Sequence, residues 1–321
     1  MSFNLKSKSL LSLRDYTPYE IQYLLNLSID LKAQKRAGIF PRRLANKSIA
    51  LIFEKSSTRT RSAFAVASAD EGAHPEFLGI NDIQLGKKES VKDTARVLGR
   101  MFDGIEFRGF KQETVETLAE YSGIPVWNGL TDLYHPTQVL ADLMTMQENF
   151  GRLKGKKVTY VGDGRNNMAN SLMVGCAKMG VKYTIGAPEN LWPEKSLIDY
   201  ARKIANENSS TIEFSANPSE AVKNANVIYT DVWISMGEEG KQGIEEKIRA
   251  LNPFQVNIEL MKATGLDDTI FMHCLPAHHT NGIHDMEVTE EVFESKASKV
   301  FDEAENRLHT IKAVMIATLV G

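Results

Sequence analysis

Cysteine is scarce in this chain. Only Cys176 and Cys274 occur among 321 residues, far apart in sequence, so no disulfide framework is encoded and a reducing compartment fits. No apolar run approaches the ~20 residues that span a bilayer. Neither sign of charge dominates: the formal net charge is −3, which speaks against a general nucleic-acid or membrane partner. The first 14 residues lack acids and carry Lys6, Lys8, Arg14 and four serines, a weak transit-peptide pattern. That pattern is short and merges into a helical one from Pro18 to Lys35, so a mature cytoplasmic N-terminus is expected. Internal repeats and low-complexity tracts are absent. What remains is an ordinary globular composition, 42% apolar and 25% charged, at a length suited to two domains.

Also absent is the third glycine of a dinucleotide fingerprint. Gly162-Asp163-Gly164 ends a strand pattern and opens a helix, but it continues into Arg165-Asn166-Asn167, without the spacing that cradles a pyrophosphate. A polar turn that offers Asn side chains to a small ligand fits better.

Apolar β-type runs alternate with helical patterns. The strands expected are Ile49–Phe53, Gly104–Phe107, Pro125–Trp127, Val158–Val161, Tyr183–Ile185, Val227–Tyr229 and Ile270–Met272. Helices are expected over Ser62–Asp70, Thr114–Tyr121, Pro136–Asn149, Met168–Met179, Pro193–Asn206 and Asn306–Leu319. This alternation predicts an α/β chain of two doubly wound parallel-sheet domains joined by interdomain helices, with ligands beyond the carboxyl ends of the strands. The break falls near Gly151–Lys157. The longest unassigned stretch, Gly237 to Asn257, reads as a mobile segment.

The densest chemistry is Ser56-Ser57-Thr58-Arg59-Thr60-Arg61, four hydroxyls and two arginines in six residues, between an apolar run and a helical segment. Strand, polar turn, helix is the layout of an anion site: free backbone N–H groups and the helix dipole favour negative charge. Ser and Thr add donors, and Arg adds a planar fork for phosphate oxygens. A plain Ser/Thr cap with solvated arginines is the competing reading.

Weaker signals follow. Arg108 ends a strand, where a ligand-binding side chain or an exposed arginine with a buried stem would both fit. His135 and Gln138 lie three apart at the start of a helix opened by Pro136, so they share a face and could grip a carbonyl oxygen and an amide; a capping histidine is the alternative. Asp231 follows the strand Val227–Tyr229 as a counter-ion for a cation or as a loop cap. Ser235 and the backbone near Gly237 suit a carboxylate. His273-Cys274-Leu275-Pro276-Ala277-His278-His279 invites a zinc reading, but the spacing matches no common finger, so no metal is expected. Cys274 is either a small core hydrophobe or a site-facing thiol.

Taken in series, Ser57-Thr58-Arg59-Thr60-Arg61, Phe107-Arg108-Gly109, His135-Pro136-Thr137-Gln138, Asp231 with Ser235-Met236-Gly237, and His273-Cys274-Leu275-Pro276 resemble the aspartate/ornithine carbamoyltransferase family. They stand in the family's order, from about residue 50 to Arg307. The Ser-Met-Gly and His-Cys-Leu-Pro elements are similar to its ornithine branch. The resemblance implies a carbamoyl-phosphate domain over residues 1–137, with a C-terminal helix 304–321 returning to it, and an amino-acid domain over 138–303. It implies transfer of a carbamoyl group from carbamoyl phosphate to the δ-amine of L-ornithine, without cofactor or protein nucleophile. It further implies a homotrimer, or a multiple of trimers, with shared active sites.

Site residues follow from the same resemblance. Ser57, Thr58, Arg59, Thr60, Gln84 from a neighbouring subunit, Arg108, His135, Gln138, Cys274, Leu275 and Arg307 would contact carbamoyl phosphate. Asn167, Asp231, Ser235 and Met236 would bind ornithine. Arg108, His135, Asp231 and Cys274 would carry the chemistry, whereas Arg61 reads as structural support of the turn. Rival readings are a sister carbamoyltransferase acting on putrescine, aspartate or an acylated ornithine, a dinucleotide-dependent oxidoreductase, and a non-catalytic phosphate binder.

Overall fold

The computed structural model describes residues 4–86, 88–234, 242–279 and 287–320. The chain divides into two compact units, Met1–Met144 with Glu305–Gly321, and Thr145–Ala304. No helix among the described residues is long and apolar enough to cross a membrane.

The first unit runs α1 (Pro18–Arg36), β1 (Ser48–Phe53), α2 (Arg59–Glu71), β2 (His74–Gly79), α3 (Val91–Met101), β3 (Gly104–Arg108), α4 (Gln112–Ser122) and β4 (Val126–Leu130), then enters α5 (Pro136–Phe150). Its four strands are all parallel, in the order β2-β1-β3-β4. β1 is buried almost throughout because Ile49-Ala50-Leu51-Ile52-Phe53 is apolar on both faces, as a central parallel strand requires. One side packs Ala50, Ile52, Ile105, Phe107 and Val126 with Ala95 and Leu98 of α3 and Val115 and Leu118 of α4.

The second unit runs β5 (Lys157–Val161), α6 (Asn167–Lys178), β6 (Lys182–Gly186), α7 (Lys195–Glu207), β7 (Ile212–Ser215), α8 (Pro218–Val222), β8 (Val227–Thr230), α9 (Ile244–Leu251), α10 (Ile258–Lys262), β9 (Ile270–His273) and α11 (Glu290–Phe293), then enters α12 (Val300–Leu319). These five strands are parallel too, in the order β7-β6-β5-β8-β9. Both sheets are thus doubly wound, as the alternation of elements required. Each has a switch point where consecutive connections leave to opposite sides, at β1/β3 in the first sheet and β5/β8 in the second. The crevice beyond the carboxyl ends at such a point is where open α/β sheets bind ligands.

All seven expected strands form, each within a few residues of its expected bounds. β2 and β7 escaped sequence reading. Both are edge strands; β2 contains Pro75, which donates no hydrogen bond and suits an edge, and β7 is only four residues long. α3 was also missed, although Ser90 caps it by accepting from Asp93 N at 3.1 Å, a readable start signal. The stretch expected to be irregular from Gly237 to Asn257 is corrected where it is described: Ile244–Leu251 is helical, and Asn252–Phe254 forms a 3₁₀ turn. Its alternation of Ile244, Ile248 and Leu251 with charged residues is the amphipathic signal that was available. Residues 237–241 lie outside the described residues.

Candidate active site

In the first unit the chain leaves β1 at Phe53 and turns into α2 at Arg59. The Ser57 hydroxyl accepts the Thr60 N–H at 3.1 Å, so the serine caps the helix while Thr58, whose side chain makes no cap bond, stays exposed. Arg59 is half-buried. The turn is therefore both a capped helix start and an anion-type N-terminus.

Thr60 is the hub, buried to 1% exposure. Its hydroxyl accepts from Arg108 Nη1 at 3.3 Å and from Arg307 Nη2 at 2.8 Å. Arg108 ends β3, which pairs with β1 in a register that sets Phe53 beside Arg108. Arg307, on α12, is fully buried and also donates through Nη1 to Gln138 Oε1 at 2.6 Å and through Nη2 to Thr137 Oγ1 at 3.4 Å. Gln138 passes a hydrogen bond from Nε2 to Asp142 Oδ1 at 2.9 Å. His135 Nδ1 lies 3.3 Å from Thr137 Oγ1. Burial pushes the His135 imidazole well below its usual range, and the positive charges of Arg307, Arg108 and Arg59 push it the same way. It is a neutral imidazole at physiological pH.

Beside this cationic group sits Glu106, which sequence reading passed over. It is wholly buried, and neither carboxyl oxygen has a hydrogen-bond partner among the described residues. Burial raises its carboxyl well above the ordinary value, against the pull of Arg108 and Arg307. Gly129 is what makes room: a Cβ there would lie 2.0 Å from Glu106 Oε1 and 3.1 Å from Thr60 Cγ2.

Ser57, Arg59, Thr60, Arg108, His135, Gln138 and Arg307 thus come together in one unit. Gln84 does not join them; it is exposed in the loop before α3. Arg61 stacks its guanidinium 3.7 Å from the Phe77 ring centroid, so it ties α2 to β2.

In the second unit Asp231 follows β8 and Cys274 follows β9. Cys274 Sγ donates to Asp231 Oδ1 at 3.1 Å. The other oxygen accepts from Asn166 Nδ2 at 3.2 Å, and the same amide donates to Tyr160 OH at 2.7 Å. Asn166, one of the two asparagines of the polar turn after β5, doubles as the N-cap of α6, accepting from Ala169 N at 2.8 Å. Asn167, the next residue, is half-buried at the helix start. Burial raises the Asp231 carboxyl above its usual range, Glu287 adding to the shift while His273 and the bonds from Cys274 and Val232 N oppose it. Asp163, in the turn after β5, forms an ion pair with Lys247 of α9 at 2.6 Å. Leu275 is half-buried with a left-handed backbone, φ 58°. Ser235 and Met236, expected to bind ornithine, lie outside the described residues.

Asp231, His273 and Cys274 offer ligand atoms within 4.8 Å of one another. His273 is nevertheless committed: Nδ1 accepts the Leu275 N–H at 2.8 Å and Nε2 faces Glu287 Oε1 at 3.2 Å. No lone pair of the ring remains for an ion.

The cationic cluster and the acid–thiol cluster each lie at the carboxyl ends of their own parallel sheet. The carbamoyl-P binding domain of aspartate/ornithine carbamoyltransferases matches residues 8–148, and their Asp/Orn binding domain matches residues 154–318. The chain belongs to the aspartate/ornithine carbamoyltransferase family. An ornithine carbamoyltransferase from Caldanaerobacter subterraneus subsp. tengcongensis is 62% identical over 319 residues, covering 99% of this chain and 100% of that one. A catabolic ornithine carbamoyltransferase from Bacillus licheniformis is 57% identical over 330 residues, covering 99% and 98%. The solved ornithine carbamoyltransferase from Pyrococcus furiosus superposes with a TM-score of 0.94 at 45% identity, over 100% of this chain and 99% of that one. For this carbamoyltransferase family member, the hydroxyl–arginine turn was legible as a motif. Glu106 was not, because a buried carboxyl on a strand looks like an ordinary structural residue in one dimension.

Proposed function

We infer that this chain transfers the carbamoyl group of carbamoyl phosphate to the δ-amine of L-ornithine, giving L-citrulline and phosphate. The observation that carries the reading is the Thr60-centred cluster of Arg108, Arg307, Gln138 and His135 behind a capped helix N-terminus. The names of relatives 62% and 57% identical support ornithine as the acceptor.

Ser57, Thr58, Arg59 and Thr60 hold the phosphate, joined by Arg108. The carbamoyl oxygen faces Thr60, Arg108 and His135, with Gln138 and Arg307 on the carbamoyl side. Attack places negative charge on that oxygen, and donors already in place stabilise it; losing one costs on the order of 10²–10³ in rate. A neutral imidazole suits this role, since it donates a hydrogen bond without giving up its proton to the phosphate. Arg307 is held by three acceptors, so its guanidinium reorganises little during the reaction.

Ornithine is held by Asn167, Asp231, Ser235 and Met236. Its δ-amine attacks as the free base, yet an amine with a pKa of about 10.4 is neutral in only about one molecule in a few thousand at pH 7. Asp231 takes the amine proton: burial makes its carboxyl a stronger base than a surface aspartate. Cys274, hydrogen-bonded to Asp231, orients that carboxylate and, with Leu275, adds carbamoyl-side contacts. The new C–N bond forms as the C–O bond to phosphate breaks, and phosphate leaves with the electron pair. Holding both substrates in attack geometry can itself lower the barrier by ~7–11 kcal/mol.

The exposed position of Gln84 supports its donation to a neighbouring subunit's site in a homotrimer in the cytoplasm. The same groups serve synthesis and phosphorolysis of citrulline. The test is amine-dependent phosphate release from carbamoyl phosphate with a panel of ornithine, putrescine, aspartate and N-acetylornithine, read beside light scattering. Turnover with ornithine alone and the mass of a trimer or a multiple of trimers are expected. Turnover of putrescine over ornithine overturns the substrate, and an active monomer overturns the shared site.

A further inference from the structure

Behind Cys274 lies a buried pair that the mechanism above does not use. His273, the last residue of β9, and Glu287 are both 0% exposed. The ring is held on both nitrogens. A backbone N–H can only donate, so the 2.8 Å bond from Leu275 N to Nδ1 fixes the lone pair there. The proton then sits on Nε2 and is donated to Glu287 Oε1 at 3.2 Å. The same oxygen accepts the His278 N–H at 2.7 Å. Burial pushes the Glu287 carboxyl up, but the hydrogen bonds from His273 and from His278 N outweigh it and hold the group below its usual range. The main chain is pinned as well: Glu303 accepts His273 N–H at 3.0 Å through one oxygen and Tyr229 OH at 3.1 Å through the other.

What this arrangement grips is the Leu275 N–H, and Leu275 stands at φ 58°, a region that an L side chain disfavours. Cys274 is the residue between, with Sγ donating to Asp231 Oδ1 at 3.1 Å. We propose that the buried His273–Glu287 pair is a positioning device: Glu287 holds the proton on Nε2 and so keeps Nδ1 open as an acceptor, Nδ1 of His273 holds Leu275 in its left-handed turn, and that turn keeps Cys274 Sγ on Asp231. The consequence for catalysis rests on the reading that Asp231 and Cys274 serve the amine. The consequence for the thiol does not.

The variants His273→Asn and His273→Gln separate the ring's two bonds. An asparagine amide oxygen stands near Nδ1 and can accept from Leu275 N. A glutamine amide reaches toward Nε2 and keeps Glu287 but leaves Leu275 N without its acceptor. Two measurements on the full chain read the outcome: citrulline kinetics, and the pH profile of Cys274 alkylation by iodoacetamide followed by peptide mass spectrometry. Cys176 is fully buried and serves as the internal control. His273→Gln is expected to lower kcat about ten- to a hundredfold, as small misplacements near reacting groups do, with the carbamoyl-phosphate KM within about threefold, and to shift the alkylation profile. His273→Asn is expected to keep kcat within about threefold of the parent. Parent-like behaviour of His273→Gln in both measurements overturns the proposal, as does equal damage in His273→Asn, which would leave the ring merely filling space. If His273→Gln does not fold, Glu287→Gln replaces it: an amide enforces neither tautomer, so the same kcat loss and profile shift are expected, and parent-like values refute the pair's role. Should the parent itself form no citrulline, the functional reading falls separately, and the alkylation profile alone decides the positioning claim.

Discussion

Glu106→Gln isolates the carboxyl that the cationic site keeps buried without a partner. Both Glu106 oxygens are buried and unbonded among the described residues, and burial lifts the group well above its ordinary value of 4.5 against the opposing charges of Arg108 and Arg307. The folded protein therefore holds a proton that the unfolded chain releases above about pH 4.5. Below that pH both states are protonated and nothing is lost. Above it, stability falls as pH rises, until pH passes the folded value; beyond that the loss is constant. The slope for one proton is about 1.4 kcal/mol per pH unit. Glutamine keeps the shape and abolishes the linkage, so the variant's advantage widens as pH rises inside that window. The assay is thermal unfolding of both proteins at about pH 5.5, 6.5 and 7.5. A gap that stays constant, or narrows as pH rises, refutes the argument. The linkage bears on function because the more firmly Glu106 holds its proton, the less it cancels the charge of Arg108 and Arg307.

Other consequences are directly measurable. Arg59→Ala is expected to abolish carbamoyl-phosphate binding in a calorimetric titration; unchanged affinity would remove the α2 turn from the phosphate site. Cys274→Ala is expected to cut turnover far more than carbamoyl-phosphate affinity, and near-normal kcat would exclude the thiol from the mechanism. Gly129→Ala drives a methyl to 2.0 Å from Glu106 Oε1 and is expected to cost about 1–3 kcal/mol through overpacking; an unchanged unfolding midpoint would contradict that geometry.

The amino-acid order by itself determined the class of fold and one end of the chemistry. Ile49–Phe53 is apolar on both faces because a central parallel strand is buried on both, and the hydroxyl–arginine turn follows it directly, so both signals are local. Where elements are marginal, local signals fail: β2 carries Pro75 and Glu76, and β7 is four residues long, as edge strands that bury little can be. The same limit applied inside the sites. Arg307 reaches Thr60 across 247 residues and Gln138 across 169, pairings that no spacing encodes. The turn with Asn166 reads as an offer of Asn side chains to a small ligand, but its partner Asp231, 65 residues away, is found only in the fold. Tertiary structure alone decided that burial raises the Glu106 carboxyl, that burial and nearby arginines lower the His135 imidazole, and that His273 holds its proton on Nε2. Protonation depends on burial and on charges brought close by folding, and those come from distant parts of the chain. The sequence could name groups able to carry charge; only their packing settled which of them do.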